Sequence, residues 1–247
     1  MSWDAIICDW NGTIIEDRDE KPILESIAVD VFKASVPWHP ARMARILKAR
    51  RRLQALYKEK QRDAEFDFVI EMFRVYNDGV VRGLPVSLIH RAVQTYARKP
   101  ETQAKLDHRL LRSVARCRQL VKLTGILSAG YEYGIKSILT AAGYANCFDF
   151  VEANQLREYS GKAFGFQLDI YTNKRQALLN LLSNMGLDAN RVVYLGDSDG
   201  DAGCFQLVGR PVVAFLCPDD LKQKYAQNYA AFVPRDEADL MAYLTSS

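Results

Sequence analysis

Two short apolar runs near opposite ends of the 247-residue chain each lead directly into an aspartate. Ala5–Cys8 is followed by Asp9, and Val192–Leu195 is followed, after one glycine, by Asp197. Such runs are typical of strands that a parallel sheet buries on both faces. Because ligands of open α/β sheets bind beyond the carboxyl ends of the strands, neighbouring strands would bring the two carboxylates together. The carboxylates would repel each other unless a hard cation lay between them, so the pattern predicts a divalent-metal site.

The periodicity of the chain changes twice. After the first strand it is helical, without an intervening strand, over Ile23–Ala34, Ala41–Arg62, Phe66–Tyr76 and Val86–Arg98. It then alternates between helices at Gln103–Leu120, Tyr131–Ala142, Lys174–Met185 and Asp201–Val208 and strands that end at Ser128, Val151, Leu195 and Phe215. Alternation indicates an α/β fold with a doubly wound parallel sheet. We therefore predict a core formed by residues 1–20 and 99–247 and an inserted all-helical cap at residues 21–98.

The composition argues against membrane and nucleic-acid partners. The net charge is only +3, and the 49% of hydrophobic residues suffices for a large core. No apolar stretch approaches the ~20 residues that a bilayer requires. The first residues also lack the basic and apolar regions of a signal peptide. We expect a cytoplasmic protein.

Four motifs support a more specific interpretation. They are Asp9–Thr13 after the first strand, Ser128 at the end of an apolar run, Lys174 at the start of an amphipathic helix, and the pair Asp197 and Asp201. In order, spacing and strand context they resemble the haloacid dehalogenase (HAD) superfamily, most of all its phosphoserine-phosphatase branch. The resemblance implies a Rossmann-like core with a helical cap.

The resemblance also implies a metal-dependent phosphatase that acts on a small phosphorylated metabolite. Asp9 is the implied nucleophile, and its attack on phosphorus would form an aspartyl phosphate, which divides one difficult displacement into two easier ones. Mg²⁺ is the implied cofactor. Its implied ligands are Asp9, the backbone carbonyl of Asn11 and Asp197, with Asp201 ordering a metal-bound water.

Other motif residues are implied to bind the phosphoryl group. Lys174 would add a point charge and Ser128 a hydrogen bond to oxygens whose charge is stabilised in the transition state. The remaining implied contacts come from Gly12, Thr13, Ala129 and Gly130. Gly12 would let backbone amides approach the phosphate, and Thr13 would fix the loop.

Asn11 departs from the pattern of the superfamily. Its phosphatases usually have a second aspartate at this position, which protonates the leaving alcohol and later activates water. An amide does neither, and general acid–base catalysis typically contributes ~10²–10⁴-fold. Three explanations remain open: a leaving group good enough to need no acid, a deliberate change that traps an intermediate, or a protein that is no longer a proper phosphatase.

Two other functions are therefore alternatives. One is a phosphate-binding protein of the same fold that turns over little because of Asn11. The other is an enzyme similar to phosphonoacetaldehyde hydrolase, since Trp10 beside a non-acidic residue resembles its first motif. That enzyme uses a lysine of the cap to form a Schiff base, for which the predicted cap offers Lys48, Lys58 and Lys60.

The cap is expected to select the substrate. Arg74 falls roughly where the phosphoserine branch has an arginine for the substrate carboxylate, and a guanidinium suits bidentate binding of that group. The same branch binds the substrate amine with an acidic residue after the first motif, but neither Glu16 nor Glu20 matches its position. The strongly basic helix at Arg42–Arg62 either faces solvent, as such runs usually do, or faces the cleft and steers an acidic substrate.

Overall fold

The computed structural model describes residues 3–36, 38–63 and 66–246. Its strands are β1 Ala5–Cys8, β2 Leu123–Tyr131, β3 Phe150–Asn154, β4 Leu156–Tyr159, β5 Lys162–Phe166, β6 Val192–Gly196 and β7 Arg210–Val213. Five of them form one parallel sheet in the order β3-β2-β1-β6-β7. The predicted α/β class with a doubly wound parallel sheet is confirmed.

The register of the sheet places the acidic strand ends side by side. Cys8 at the end of β1 lies opposite Ile126 of β2 and Leu195 of β6. Asp9 therefore follows β1 at the level where β2 approaches Ser128 and β6 approaches Asp197. The backbone N–H of Asp9 still donates to the carbonyl of Leu195, over 2.8 Å, so the pairing fixes the first residue of the site.

Helices fill the long connection between β1 and β2. They are α1 Lys21–Ser35, α2 Pro40–Arg62, α3 Phe68–Tyr76, α4 Val86–Ala97, α5 Pro100–Gln103 and α6 His108–Cys117. The first four agree with the predicted helices to within two residues at each end. The prediction of one helix over 103–120 was wrong, because the carboxylate of Asp107 accepts hydrogen bonds from the N–H groups of Arg109 and Leu110 and caps a new helix there.

The remaining helices follow β2: α7 Glu132–Ala141, α8 Asp169–Thr172, α9 Lys174–Met185, α10 Ala202–Phe205, α11 Asp219–Tyr229 and α12 Glu237–Thr245. Side chains alternate across β1, so that Ile6 and Cys8 pack on the layer that contains α6, α7 and α12. Ala5 and Ile7 pack on the other layer, which contains α9, α10 and α11. Helices thus cover both faces of the sheet, as its continuous apolar strands require.

An antiparallel hairpin of β4 and β5 joins the core to the helical insertion. Its edge pairs with the segment before α4, where the N–H of Gly83 donates to the carbonyl of Ala163, over 2.8 Å. The side chain of Asn77, just after α3, binds the backbone of Phe166. These contacts tie the end of α3 and the segment before α4 to the hairpin. The division of the chain into a core and a cap at residues 21–98 stays a prediction. Of the residues that this division assigns, 1, 2, 37, 64, 65 and 247 lie outside the described ones.

Candidate active site

Asp9 is the first residue after β1 and lies at the carboxyl edge of the sheet. Its side chain is only 7% exposed. The loop that follows turns back at once, because the N–H groups of Thr13 and Ile14 bond to the carbonyl of Trp10. Gly12 has a φ of 71°, in the left-handed region, and its missing Cβ leaves the space that the carboxylate of Asp197 occupies.

Lys174 joins the nucleophile candidate to the second acidic motif. Its ammonium nitrogen Nζ lies 2.7 Å from Asp9 Oδ1 and 2.7 Å from Asp201 Oδ1. The lysine is the first residue of α9, and the side chain of Asn173 caps that helix by accepting from the N–H of Gln176. A capped helix start is a fixed point on the backbone, so the lysine enters the site from a defined position.

Asp201 is buried and its oxygens are fully engaged. Oδ1 accepts from Lys174 and from the hydroxyl of Tyr194, each at 2.7 Å. Oδ2 accepts from the N–H groups of Asp197 and Ser198, both at 3.1 Å, and from the hydroxyl of Ser198 at 3.0 Å. A carboxylate held in this way orients its neighbours, and the loop after β6 is built around it.

Asp197 faces Asp9 from the other side of the Gly12 turn. Its Oδ1 accepts from the hydroxyl of Thr13 at 3.1 Å, and its Oδ2 lies 3.8 Å from a guanidinium nitrogen of Arg18. Thr13 therefore orients Asp197 as well as the first loop. Arg18 could not be singled out from the sequence, because one arginine in an acidic run matches no motif.

The electrostatics of the cluster favour a cation. Burial raises the pKa of Asp9 to about 6, although the charge of Lys174 partly offsets this, and burial together with Asp9 raises the pKa of Asp197 to about 7. Burial alone would raise the pKa of Asp201, but Lys174 and the hydrogen bonds hold it below its ordinary value. Burial acts to lower the pKa of Lys174, yet Asp201 and Asp9 raise it, so its ammonium stays charged.

Ser128, Ala129 and Gly130 complete the edge of the site on β2. The hydroxyl of Ser128 accepts from the N–H of Gly130 at 3.0 Å. The carboxyl of Glu20 lies next to Gly130. A Cβ added to this glycine would be only 2.5 Å from Glu20 Oε1, so the missing Cβ makes room for the carboxyl. Burial raises the pKa of Glu20 to about 8, and its oxygens accept from the N–H of Tyr131 and the amide of Asn11. That amide also donates to the carbonyl of Asp17, over 3.2 Å.

A cavity of about 210 Å³ opens in front of these residues. Of the predicted site residues, it is lined by Asp9, Asn11, Ser128, Ala129, Lys174 and Asp197. Gly12, Thr13, Gly130 and Asp201 are not part of its wall but contact residues that are. The structure thus brings together every predicted site residue except one.

The exception is Arg74. Its side chain is largely exposed and forms an ion pair with Glu71, one turn earlier on α3, and it does not line the cavity. The residues of α3 that do are Val69 and Phe73. The wall is completed by Arg18, Asp19, Glu20, Ile170, Tyr171, Ser198 and Gly200, most of which sequence reasoning did not assign to the site.

The basic helix α2 faces away from this cavity. Most of its cationic residues are exposed, including Lys48, Lys58 and Lys60, and none of them lines the cavity. The described chain therefore brings no cap lysine to Asp9, as the comparison with phosphonoacetaldehyde hydrolase would require. A larger groove of about 680 Å³ lies between α1 and α2, but it contains none of the candidate site residues.

The donor set fits a magnesium ion. Ligand atoms of Asp9, Asp197 and Asp201 all lie within 4.8 Å of one another, and the three side chains are buried. Magnesium prefers carboxylate and carbonyl oxygens and binds few protein groups. Since Asp201 is already engaged by five donor groups, Asp9 and Asp197 are the carboxylates available to hold the ion directly.

Comparison with known proteins defines the fold. No family model matches the chain, and no curated protein matches its sequence. A substrate-bound phosphoserine phosphatase has a TM-score of 0.61 at 14% identity, covering 99% of this chain and 100% of that one. A Bordetella pertussis protein with unknown function has a TM-score of 0.65 at 17% identity (94% and 98%). A cytosolic 5'-nucleotidase IIIB bound to cytidine has a TM-score of 0.62 at 17% identity, covering 97% of this chain and 84% of that one.

These likenesses establish the architecture. The chain has the fold of the HAD superfamily, with a five-stranded parallel sheet and helices inserted after the first strand. Phosphoserine phosphatases recur among its structural neighbours. At such identities the likeness concerns the fold alone. Among the described residues, no helix is both long enough and apolar enough to cross a membrane.

Proposed function

We propose that the protein is a Mg²⁺-dependent phosphatase that hydrolyses a small phosphomonoester through an aspartyl-phosphate intermediate at Asp9. The observation that carries the proposal is the buried cluster of Asp9, Asp197, Asp201 and Lys174 at the carboxyl edge of β1 and β6. The site lies where ligands bind in open α/β sheets, in the fold that the neighbouring phosphatases share.

Each residue has a role in this proposal. Asp9 attacks phosphorus and forms the acyl phosphate. Asp9, the carbonyl of Asn11 and Asp197 would hold Mg²⁺, which when bound would neutralise charge on the phosphoryl oxygens. Lys174 keeps Asp9 ionised, oriented and close to the incoming phosphate. Ser128 donates a hydrogen bond to the phosphoryl group, whose charge such donors stabilise in the transition state.

The decisive experiment is a screen of phosphomonoesters with Mg²⁺ and with EDTA, combined with rapid acid quench and mass spectrometry. We expect Mg²⁺-dependent release of phosphate and a phosphorylated peptide that contains Asp9. Asp9→Asn should abolish both signals, and Asp197→Asn should weaken Mg²⁺ binding and lower turnover by orders of magnitude.

A neighbouring acidic residue provides the control. Asp199 belongs to the same loop as Asp197 but is exposed and pairs with Lys224, so Asp199→Asn should retain the wild-type rate. An Asp197→Asn protein with unchanged Mg²⁺ affinity and turnover would refute the site assignment.

One observation favours a second function, a phosphate-binding protein with little turnover. The amide of Asn11 is held by the Asp17 carbonyl and by Glu20, so the position that would protonate a leaving group carries no acid. Mg²⁺-dependent binding of vanadate without hydrolysis of any ester would support this function. Restoration of turnover by Asn11→Asp would then identify the missing proton as the reason.

A further inference from the structure

We propose that the substrates of this site are aryl phosphates, in which the leaving group is a small aromatic alcohol. This inference rests on the proposed function and adds the chemistry of the leaving group to it. It follows from two features of the cavity: an aromatic part of its wall and the lack of a proton donor at Asn11.

One part of the cavity wall is apolar and aromatic. Val69 and Phe73 reach it from α3, and Ile170 and Tyr171 reach it from α8. At about 210 Å³ the cavity is smaller than the ~300–1,000 Å³ typical of pockets for drug-sized ligands. A phosphoryl group with one ring attached suits a space of this size and character.

The two rings of this wall are held in place by other contacts. Phe73 packs edge-on against Phe166, with 5.4 Å between the ring centroids. The hydroxyl of Tyr171 donates to Asp67 Oδ1 over 3.0 Å. Because Asp67 is the N-cap residue of α3, this bond ties α8 to the start of α3. Preorganised rings bind an aromatic ligand through offset or edge-to-face contacts, without the entropy cost of ordering flexible side chains.

The chemistry at Asn11 selects the same ligand. An alkoxide needs a proton in order to leave, whereas a phenol ionises near pH ~10, as tyrosine does, and departs as the phenolate. Asn11 has no ionisable proton. The carboxyl of Glu20, which also lines the cavity, accepts hydrogen bonds from Asn11 and from the N–H of Tyr131. The benzyl ester described below tests whether this carboxyl supplies the proton in place of Asn11.

Two cations line the cavity. Lys174 is bound to Asp9 and Asp201. Arg18 is half-exposed, and its guanidinium lies 3.8 Å from Asp197, beyond hydrogen-bond distance. No other lysine or arginine of the described chain lines the cavity, so a substrate carboxylate, such as that of phosphoserine, would find a partner only in Arg18.

The proposed reaction balances without a further reactant. A carboxylate oxygen of Asp9 bonds to phosphorus while the bond from phosphorus to the aryl oxygen breaks, and the electron pair leaves with the phenolate. Water then attacks phosphorus and the bond to the Asp9 oxygen breaks. The carboxylate is regenerated, and the protons of water end on phosphate and the phenolate.

Four esters separate ring recognition from leaving-group chemistry. Phenyl phosphate has a ring and a good leaving group, benzyl phosphate a ring and a poor one, acetyl phosphate a good leaving group without a ring, and O-phosphoserine neither. We expect the two ring-bearing esters to share a KM about tenfold below those of the other two. We expect the phosphorylation of Asp9, measured by rapid acid quench, to be fastest with phenyl and acetyl phosphate, because the later attack of water is the same step for all four esters.

Variants of the wall test the same assignment. Tyr171→Ala should raise KM about tenfold for phenyl and benzyl phosphate and leave that of acetyl phosphate unchanged. Tyr171→Phe keeps the ring and should retain the wild-type KM. Phe73→Leu provides a second probe if Tyr171→Ala does not fold. Val75→Ala is the matched truncation on α3, since Val75 is partly buried against the core and does not line the cavity.

The outcomes distinguish this inference from the proposed function. Loss of turnover for all four esters, with Mg²⁺ present, would refute the phosphatase function itself. Turnover of O-phosphoserine with a kcat/KM equal to that of phenyl phosphate would refute the aryl inference and leave the function standing. The same holds if benzyl phosphate phosphorylates Asp9 as fast as phenyl phosphate does, because some group would then supply the proton.

Discussion

Replacement of Lys174 by methionine should expose the electrostatic strain within the site. Methionine has a similar length and no charge, so the variant leaves Asp9 and Asp201 facing each other without the ammonium that lies 2.7 Å from each. Removing one partner of a buried ion pair typically costs 3–5 kcal/mol, because the remaining charge is uncompensated. Lys174 bridges two such partners, so we expect a loss of about 4 kcal/mol in the free energy of unfolding.

The pH dependence of this loss provides an internal check. Without Lys174 the pKa of Asp9 should rise further above its ordinary value, because the lysine is the charge that now lowers it. A carboxyl whose pKa is raised in the folded state contributes stability below its unfolded pKa and loses it as the pH rises through the folded value. The variant should therefore lose more stability at about pH 8 than at about pH 6.

Thermal and urea unfolding in EDTA would measure both effects. For a chain of this length each kcal/mol shifts Tm by about 2–4 °C, so Lys174→Met should unfold roughly 10 °C lower than wild type. Lys224→Met is the matched control, since Lys224 pairs with the exposed Asp199 and surface pairs contribute about 0–1 kcal/mol. A Lys174→Met protein as stable as this control would refute the account of the cluster.

Three further predictions concern neighbouring groups. Gly12→Ala should lower the free energy of unfolding by at least ~1–2 kcal/mol and weaken Mg²⁺ binding, because the added Cβ would overlap the Asp197 carboxylate. Gly143→Ala is the control for backbone strain alone, since Gly143 has a φ of 79° and open space around it. The rise in Tm produced by Mg²⁺ should be larger at about pH 8 than at about pH 6. The reason is that protons on Asp9 and Asp197, whose pKa values are about 6 and about 7, compete with the ion. Equal rises at the two pH values would contradict this. In EDTA, the stability of Glu20→Gln relative to wild type should increase as the pH rises from about 5 to about 9. The pKa of Glu20 is raised to about 8, so its ionisation destabilises the folded wild-type protein. Parallel profiles of stability against pH for the two proteins would contradict this.

The sheet and its acidic edge could be predicted because buried parallel strands carry a local signal. Ala5–Cys8 matches the predicted strand at both ends, and Val192 begins β6 as expected. The start of α9 at Lys174 also agrees, since an asparagine cap precedes an apolar pattern of helical period. Hydrophobic periodicity determines both features, and neither depends on a distant contact.

Arg74 shows where a position in the sequence was not enough. In α3 the buried residues are Phe68, Met72, Phe73 and Tyr76, which form one stripe. Adjacent residues of a helix point about 100° apart, so Arg74 cannot share the direction of Phe73. The stripe was visible in the sequence, and it would have predicted a cavity lined by an aromatic residue of α3.

Other parts of the site depend on contacts between distant segments. Tyr171 belongs to the four-residue helix α8, which is too short for a periodic pattern, and Asp67 fixes its position from across the cavity. Glu20 is buried because Gly130 leaves room for its carboxyl and Tyr131 supplies an N–H group. Neither contact follows from local sequence, since each joins residues more than a hundred positions apart.

Charge compensation connects the fold of this site to its chemistry. Three buried carboxylates share one buried ammonium, so the fully ionised cluster carries two more negative charges than positive ones. The cluster can reduce this excess by holding protons, as the raised pKa values of Asp9 and Asp197 indicate, or by holding a divalent cation. Only the second arrangement leaves Asp9 ionised for attack and removes the repulsion of an incoming phosphate dianion. The same excess of charge that makes the metal-free site costly therefore makes binding of phosphate dependent on the metal.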